Sequence, residues 1–574
     1  MSSQSRERLG KAEVTPCVGG EPVTQVDVQS EEGDLSRRDM AGFLMGAIGL
    51  LAISGCSTAV AEGDGEKPID DVGRSVSALS GANFRWVDTL ANLRTITGST
   101  TNPVMVLGGY LSVAPPDGGG GLFYWDNTSM EADNGGTIVR PTAIAVGSPG
   151  RWTRIFTGAL NVRWFGATGA GAADDQPAIQ AAINYVAGRG GGTVYIPPGV
   201  YRVNSAIQIN GSGVRLVGDN RANTFIKKSG ADATTILFGG VQRCELSHVR
   251  IEPLVVGAQT SGAAVRFSTS GANGILLSNL SIYDVYCGIM CDPPSLSTSA
   301  VNEVTIRLVK MVGIYQFGIR SQNAINWIVT DVLVYMRQLQ GQTPLQAWPP
   351  GSNKFGIWLD TWTEGWVLES VFVLGGERSW RFHNTVNSAL PPPASIRFIS
   401  CIADNGSVSC FYASAMHRCV FIGCWASAQS LGAVGFVMDS LNVLGVQWLD
   451  GEMMNLDSYC FNVISAKNFT ISNSYFTAWG RQSSGSWAAI NIAGNQSMSF
   501  SIVGNTFTAA QDADYGAHSA YGVVVSQSPV PGGVTSHDRY LIANNLGSTL
   551  SGTVLELNGW PPTSTRRVVA GNVT

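Results

Sequence analysis

Charged residues and histidines are scarce in this sequence. Only 13% of the 574 residues are charged, and the five histidines show no pairing at the spacing of a zinc site. The net charge of −5 comes from 36 basic and 41 acidic side chains, and it gives no sign of a basic surface for nucleic acid. Neither a zinc enzyme nor a nucleic-acid-binding protein is therefore predicted.

Two motifs of common enzyme classes are also missing. No Gly-x-Ser-x-Gly elbow occurs, which argues against a serine hydrolase of that type. The glycine-rich segments do not form a Gly-x-Gly-x-x-Gly between a strand and a helix, which argues against a nucleotide site. What the composition does contain, 69 glycines and 44% apolar residues, is typical of a long β-rich body with a large core.

The N-terminal region carries an export pattern. Arg37 and Arg38 precede an apolar run at residues 43–53, which is too short to span a membrane comfortably and ends just before Cys56. Paired arginines before such a run resemble a twin-arginine signal, and Ile-Ser-Gly-Cys resembles a bacterial lipobox. We predict a signal peptide over residues 1–56 with lipidation of Cys56, and a flexible tether over residues 57–84. An ordinary secretory peptide with an incidental cysteine is the alternative.

This pattern predicts an exported bacterial cell-envelope lipoprotein, in the periplasm or at the cell surface, with release into the medium as a further outcome. Its lipid anchor would bring it to a membrane. Twin-arginine export follows folding in the reducing cytoplasm, so the remaining cysteines need not form disulfides.

Residues 85–158 have the pattern of a small β domain. Phe123, Tyr124 and Trp125 follow a run of four glycines, and Trp152 lies in a second short stretch after Gly150. We expect this head domain to dock on the following domain or to orient it, with carbohydrate binding as the alternative.

Residues 161–203 are the most informative part of the chain. A strand ending at Gly166 leads through a glycine and alanine loop to Asp175, and Pro177 then opens a short helix with apolar residues at helical spacing. A strand and the turn Pro197-Pro198-Gly199 follow. This module resembles the opening of the pectate-lyase-type right-handed β-helix superfamily, which phage tailspike depolymerases share. The resemblance implies an all-β fold: a right-handed parallel β-helix over residues 159–574 with an N-terminal capping helix.

Short apolar strands recur after this module, each with a small or polar residue at a corner. Their spacing predicts about a dozen coils, one of them near Val309. The corner positions are Asp219, His248, Asn279, Asp331, Ser370, Cys401, Cys424, Gly451, Asn473, Asn505 and Asn545. In a second column of strands, alternation places Ile289, Ile319, Ile357, Phe411 and Phe436 inside. The third and fifth residues of these strands, such as Trp358 and Asp360, are predicted to point outward.

Cysteines repeat at equivalent positions, with Cys401 and Cys424 at the same corner of adjacent coils. Stacked coils place such residues roughly 4.8 Å apart. We interpret them as small apolar residues of an interior ladder rather than as disulfides or metal ligands.

The candidate site lies where carboxyl groups and tryptophans accumulate. Six of the 15 tryptophans fall between Trp327 and Trp380, and the segment 337–354 reads as a loop projecting from a long coil. Glycoside hydrolysis needs two carboxyl groups on neighbouring coils, one to protonate the leaving oxygen and one to activate water or attack the sugar. We predict Asp360 paired with Glu377 or Asp404, with Glu364 in reserve. The predicted substrate-binding residues are Trp348, Trp358, Trp362, Arg378, Arg381 and His383.

A second-choice patch contains Asp439, Asp450 and Glu452, near Trp448 and Trp479. The main alternative to a hydrolase is a polysaccharide lyase or C5-epimerase acting on uronic acids, with Ca²⁺ as cofactor if it is a lyase; otherwise no cofactor is expected. The Gly-His-Gly and Arg-Ile-Lys motifs of polygalacturonases are missing, as is a dense aspartate cluster for calcium. A non-catalytic carbohydrate-binding surface protein is a third reading. The tailspike resemblance also implies a homotrimer as one oligomeric state.

Overall fold

A computed structural model describes residues 84–573 apart from 102, 294–298, 338–350, 386–389, 429, 431, 481–486, 494–498, 509–520, 527–538, 549, 551–552 and 559–566. The predicted signal peptide with Cys56, almost all of the tether, and Trp348 lie outside the described residues. No helix in the described part of the chain is both long and apolar enough to cross a membrane.

The head domain is a five-stranded sheet. Its strands in chain order are β1 (Arg85–Thr89), β2 (Val104–Gly109), β3 (Gly121–Asp126), β4 (Ile138–Val139) and β5 (Arg151–Ile155), and their order in the sheet is β1-β2-β3-β5-β4. Only β1 and β2 pair in parallel. A short helix, Leu90–Leu93, follows β1. The domain has its own small core, with Phe123 and Trp152 fully buried.

A buried arginine joins the head domain to the next module. Arg154 donates hydrogen bonds to the carbonyl oxygens of Gly119, Gly120 and Gly136. Its guanidinium also lies 4.8 Å from the ring centre of Trp164, in the opening of the β-helix. Burial lowers the pKa of Arg154 to about 9. A buried cation hydrogen-bonded within the head domain thus also packs on an aromatic ring of the next module.

The helix of the opening module lies where the sequence predicts it, but residues 162–165 do not continue a strand, and the predicted glycine and alanine loop contains the strand Ala170–Asp174. A 3₁₀ turn, Val162–Phe165, ends at Gly166 in the left-handed conformation (φ 96°), and the helix Gln176–Ala187 follows. The helix buries Ile179, Ala182, Ile183 and Val186. These residues join the main core, so the helix covers the N-terminal end of the stacked coils.

The remaining chain is a right-handed parallel β-helix. Within the described residues, thirteen strands stack in chain order to form one wall, which we call the front face. They are Ile207–Ile209, Ile236–Phe238, Val265–Phe267, Cys287–Cys291, Phe317–Ser321, Phe355–Leu359, Arg378–Phe382, Ser409–Ala413, Val434–Leu444, Phe461–Lys467, Ala488–Ile492, Tyr521–Ser526 and Leu555–Asn558. The short strand Met416–His417 pairs with the last two residues of Val434–Leu444.

The other walls of each coil are formed by a continuous sheet of 28 strands. They are Leu160–Asn161, Ala170–Asp174, Gly192–Ile196, Gly199–Val203, Val214–Gly218, Thr224–Lys228, Glu245–Ser247, Arg250–Pro253, Asn273–Ser278, Ser281–Tyr283, Val301–Ile314, Ala324–Ile325, Ile328–Met336, Thr363–Glu364, Val367–Leu374, Arg397–Ile399, Ile402–Asp404, Val420–Ile422, Trp425–Ser427, Gln447–Leu449, Glu452–Met454, Thr470–Ser472, Tyr475–Thr477, Phe500–Val503, Thr506–Thr508, Tyr540–Ala543, Leu546–Ser548 and Arg567–Ala570.

Ten of the eleven predicted corners lie at or next to a residue in the left-handed backbone region, and Asp219 is the exception. His248, Asn279, Asp331, Ser370 and Asn473 all have φ between 51° and 60°. At Cys401, Cys424, Gly451, Asn505 and Asn545 the left-handed residue is the one before the predicted position: Ser400, Gly423, Asp450, Gly504 and Asn544. The coil expected near Val309 has its corner at Leu308 (φ 55°). Asn, Asp and Gly are frequent here because they tolerate positive φ best.

The interior is filled by stacked identical or similar side chains. Ile289, Ile319, Ile357, Phe411 and Phe436 are fully buried, as the alternation predicts. The eight described cysteines are free and buried. Near the C-terminal end, Asn505 donates to Asn545 over 3.0 Å and Asn545 donates to Asn572 over 2.9 Å, so the coils are also joined by a buried amide ladder.

Candidate functional site

Four consecutive coils of the front face place arginines and aromatic rings side by side. The register pairs Arg320 with Trp358, Trp358 with Arg381, and Arg381 with Tyr412. These residues point away from the core because their neighbours in each strand are buried inside. Successive members are roughly 4.8 Å apart in the stacking direction. Together with Arg378, His383 and Asp439 they form what we call the arginine–aromatic patch.

The guanidinium groups of this patch lie over aromatic rings. Arg320 and Arg381 are 4.4 and 4.7 Å from the ring centre of Trp358, and Arg378 is 3.7 Å from that of Tyr412. Cation–π contact at these distances holds the guanidiniums in place. The Nε atoms of Arg320, Arg378 and Arg381 are buried and have no hydrogen-bond partner among the described residues. The three guanidiniums are therefore ordered over aromatic rings, and Arg320 also lies 3.7 Å from Asp360 Oδ2.

Tyr412 is the residue of the patch whose hydroxyl group carries a proton at neutral pH. Its hydroxyl donates a 2.6 Å hydrogen bond to Asp439 Oδ2. Burial, followed by this bond to Asp439, raises the pKa of Tyr412 to about 12. The phenol therefore keeps its proton at neutral pH and is placed to donate it.

His383 is the residue of the patch whose side chain is a neutral base at pH 7. It follows the strand Arg378–Phe382, and its Nδ1 shares a hydrogen bond with Ser414 Oγ on the next coil. Burial and then the charge of Arg381 lower the pKa of His383. The imidazole is therefore neutral at pH 7 and can accept a proton. Because His383 is level with Ser414, its Cα lies roughly 8 Å from that of Tyr412 by strand geometry.

Asp360 is fully buried, so its carboxyl group is not open to a substrate as the predicted catalytic role requires. Its Oδ1 accepts hydrogen bonds from the backbone N–H of Thr361 and of Thr385, and its Oδ2 accepts from Gln322 Nε2 at 2.9 Å and from the Thr385 hydroxyl. Arg320 Nη2 lies 3.7 Å from the same Oδ2. These partners, Arg320, Gln322 and Thr385, do not belong to the apolar core, so polar groups of the neighbouring coils cover the carboxyl group.

Asp360 and Glu377 cannot form the predicted pair. Glu377 precedes the strand Arg378–Phe382, whereas Asp360 is level with His383 beyond the other end of that strand. Six residues of extended chain separate the two levels, or roughly 20 Å. Glycosidase carboxyl groups lie about 5–10 Å apart. The two carboxyl groups are far apart because Glu377 comes just before a front-face strand, whereas Asp360 comes just after one.

Glu377 and Asp404 do lie at the same turn. Gly375 donates its backbone N–H to the carbonyl of Asp404, and Val408 donates to that of Glu377. Glu377 is 3% exposed, and it accepts a 2.7 Å hydrogen bond from the backbone N–H of Asn353. Asp404 is half-buried, and this burial raises the pKa of its carboxyl group. A catalytic role for either residue stays a prediction.

The other predicted site residues are dispersed. Glu364 lies beyond Asp360 on the strand Thr363–Glu364, 4.0 Å from Arg418. Trp362 adopts a left-handed conformation beside it (φ 52°). Trp358 is only 9% exposed, and two guanidiniums lie over it, so it orders the arginines rather than presenting an open ring to a sugar.

The second-choice patch does not hold together as one surface. Asp439 belongs to the front face and contacts Tyr412, whereas Asp450 and Glu452 lie at a corner of the other walls. Trp448 and Trp479, which were expected beside them, are fully buried in the core. Residues 439–452 pass from the front face to another wall of the coil, and their sequence alone does not show where that change occurs.

Tyr412 and Arg320 are the site residues that sequence reasoning missed. Both occupy the fourth position of a front-face strand, next to the buried Phe411 and Ile319, so the alternation predicts them to be outward. The alternation of the strands therefore indicates both residues, although neither belongs to a pair of carboxyl groups. In the described part of the chain no group of three or more His, Cys, Asp or Glu side chains is placed to hold a metal ion.

Comparisons with known families match two parts of the chain. Residues 159–341 match a family described as rhamnogalacturonase A/epimerase, pectate lyase-like, and residues 86–157 match the phage tail protein small four-stranded beta-sheet domain. Each match covers less than half of the chain.

Two curated relatives come from Azotobacter vinelandii. Mannuronan C5-epimerase AlgE6 is 30% identical over 182 residues, which is 32% of this chain and 20% of the relative. Mannuronan C5-epimerase AlgE3 is 47% identical over 76 residues, which is 12% of this chain and 4% of the relative. The chain thus spans a fifth or less of the length of these two relatives.

Among solved structures, an N-terminal fragment of the bacteriophage Phi29 gene product 12 superposes with a TM-score of 0.50. It is 16% identical, and the alignment covers 71% of this chain and 70% of the fragment. At that identity the likeness supports the β-helical fold alone.

Proposed function

We propose that the chain is an enzyme that acts on a uronic-acid polysaccharide by removing the proton at C5 of a sugar ring, as lyases and C5-epimerases do. The observation that carries the proposal is the arginine–aromatic patch, in which three ordered arginines surround a protonated tyrosine and a neutral histidine. The names of the two Azotobacter relatives support mannuronan as the first polymer to test.

The arginines favour an acidic polymer over a neutral one. A guanidinium presents a planar fork of donors that matches a carboxylate. A neutral sugar offers no negative charge to these guanidinium groups. A carboxylate on C5 would pair with the Nη groups of Arg378 or Arg381, the two arginines that adjoin Tyr412 and His383.

The proposed chemistry begins at the carbon beside that carboxylate. His383 takes the C5 proton, and the electron pair of the C–H bond moves into the carboxyl group, where the arginines stabilise the added negative charge. In a lyase the C4–O4 bond then breaks, and Tyr412 protonates the leaving oxygen. In an epimerase no bond to O4 breaks, and Tyr412 returns a proton to C5 from the opposite side of the ring.

A glycoside hydrolase is the second candidate. The observation that favours it is Asp404, whose pKa is raised by burial, at the same turn as Glu377. A protonated carboxylic acid beside an ionised one is the arrangement that glycosidic cleavage by water requires. This pair lies at the opposite end of the front-face strand from His383, so the two candidates use different residues.

One digestion experiment separates these reactions. The protein is incubated in D₂O with mannuronan and, separately, with a neutral polysaccharide, and three products are followed. Unsaturated uronate absorbance with new reducing ends indicates a lyase, whereas deuterium at C5 without cleavage indicates an epimerase. Reducing ends alone would indicate the hydrolase and contradict the main proposal, as would no change in mannuronan at all.

Two variants connect the result to the site. Arg381→Lys keeps the charge but loses the fork, and we expect it to raise KM on mannuronan at least several-fold. The matched control is Arg418→Lys, because Arg418 lies near Glu364 and away from the patch. Equal effects of the two substitutions would contradict the assigned site.

The export pattern of residues 1–56 fits this activity, since the polymer would be met outside the cytoplasm. We propose that the protein is delivered to the cell envelope and anchored through Cys56. Metabolic labelling with a palmitate analogue tests the anchor, with Cys56→Ser as the variant expected to lose the label.

A further inference from the structure

We propose that Asp360 is a positioning residue that sets the location and the proton affinity of His383. This inference rests on the proposed function for its catalytic consequence, although the geometry stands without it. Asp360 is buried and touches no open surface, but it contacts the two segments that border the arginine–aromatic patch.

The first of these segments is the turn that carries His383. Thr385 gives Asp360 both its backbone N–H, at 2.9 Å from Oδ1, and its hydroxyl, on Oδ2. Thr361, next to Asp360, donates its hydroxyl to Asn384 Oδ1 over 2.8 Å. Residues 384 and 385 are thus fastened to the preceding coil immediately after His383, which restricts where the imidazole can lie.

The second segment belongs to the coil before. Gln322 Nε2 donates to Asp360 Oδ2 over 2.9 Å, and Arg320 Nη2 lies 3.7 Å from the same oxygen. One buried carboxyl group therefore connects an arginine of the patch with the turn of the proposed base. A buried acceptor with this many donors costs more to disturb than an exposed one, so the arrangement is rigid.

The charge of Asp360 also acts on His383 directly. The groups that face the imidazole are Arg381 and Arg378 from its own strand, Asp360 from the preceding coil, and Asp439 with Ser414 from the following coils. The arginines lower the pKa of His383, while Asp360 and Asp439 raise it. Removing the charge of Asp360 should therefore lower the pKa of His383 and move the acid limb of the activity profile to lower pH.

The test combines two pairs of measurements on the full chain. In Asp360→Asn, the ¹³C-labelled His383 signal, assigned by its loss in His383→Gln, is titrated by NMR and should have a lower midpoint than in the wild type. An unchanged midpoint in a folded variant would overturn the proposal. This reading needs no substrate, so it stands apart from any failure of the proposed function.

The second pair uses the exposed residue Thr385, so that folding is not at risk. Thr385→Val removes the hydroxyl bond to Asp360, whereas Thr385→Ser keeps it. We expect Thr385→Val to lower kcat on mannuronan roughly 10-fold, with a smaller change in KM, and Thr385→Ser to stay within about 2-fold of the wild type. Equal kcat values for the two variants would overturn the positioning role.

Discussion

Two successive stretches of four coils on the front face share one fold and differ in what they present outward. In the earlier stretch, the fifth to eighth strands, the central outward position holds Arg320, Trp358, Arg381 and Tyr412 in succession. In the following coils the same position holds Val437, Asn462, Asn491 and Val524. The inward neighbours remain apolar in both regions. A β-helix thus fixes its architecture from inside and can vary its chemistry from coil to coil outside.

The sharpest way to break this comparison is to remove one hydroxyl from the early region. Tyr412→Phe should lower activity on mannuronan roughly 10²–10⁴-fold, because the proton donor is lost while the ring under Arg378 remains. Initial rates measure the effect. Val437→Ala, in the same column one coil later, is the control and should keep wild-type activity. A similar loss in both variants would show that the two regions do not differ in function.

The inward neighbour of Tyr412 should behave in the opposite way. Phe411 is fully buried, and its ring centre lies 5.5 Å from that of Phe436. Phe411→Ala should reduce the free energy of unfolding by about 3–5 kcal/mol through lost burial and the resulting cavity. The urea midpoint measures this loss. A loss no larger than that of Val437→Ala would contradict the division between an inner and an outer role.

Sequence patterns predict the inner half of this division well. The interior positions Ile289, Ile357 and Phe436 follow from a period of two, and corner residues such as Asn279 follow from the tolerance of Asn for positive φ. Both rules are local, so a linear reading is sufficient. The opening module is equally local, which is why its helix lies where the proline and apolar spacing indicate.

The outer half depends on register and strand ends, which a linear reading does not fix. Asp360 is one residue beyond its strand, and polar groups of the neighbouring coils bury its carboxyl group. Tyr412 becomes part of the site only because the register sets it beside Arg381. Proximity across coils of unequal length has no fixed sequence interval.

Buried and outward asparagines offer a milder comparison. Asn545 is 1% exposed and bonds to the amides of both neighbouring coils, whereas Asn491 lies in the outward column with one 3.1 Å bond to Asn462. Asn545→Ala should cost about 1–3 kcal/mol of unfolding free energy, because it leaves buried amide groups without partners. Asn491→Ala should cost less, since water can replace its partner. Equal shifts in the urea midpoint would contradict a special role for the buried ladder.

The smallest expected effect compares two histidines whose pKa values are lowered for the same principal reason. Burial lowers both, assisted by Arg381 for His383 and by Arg418 for His417. Each stays neutral in the folded state while the unfolded chain takes up a proton near pH 6.5, so stability should fall as pH drops below about 6.5 and level off below the folded-state pKa.

Replacing either histidine by Gln should therefore make the urea midpoint less dependent on pH between pH 7 and pH 5. His383→Gln should also remove most of the activity on mannuronan, whereas His417→Gln should keep both the activity and the acid limb of its pH profile, because only His383 of the two adjoins the patch. If His417→Gln lowered activity as strongly, the loss would report general stability rather than the proposed base. The pH dependence of stability thus reports the burial that both histidines share. The pH dependence of activity reports proton transfer, which is proposed for His383 alone.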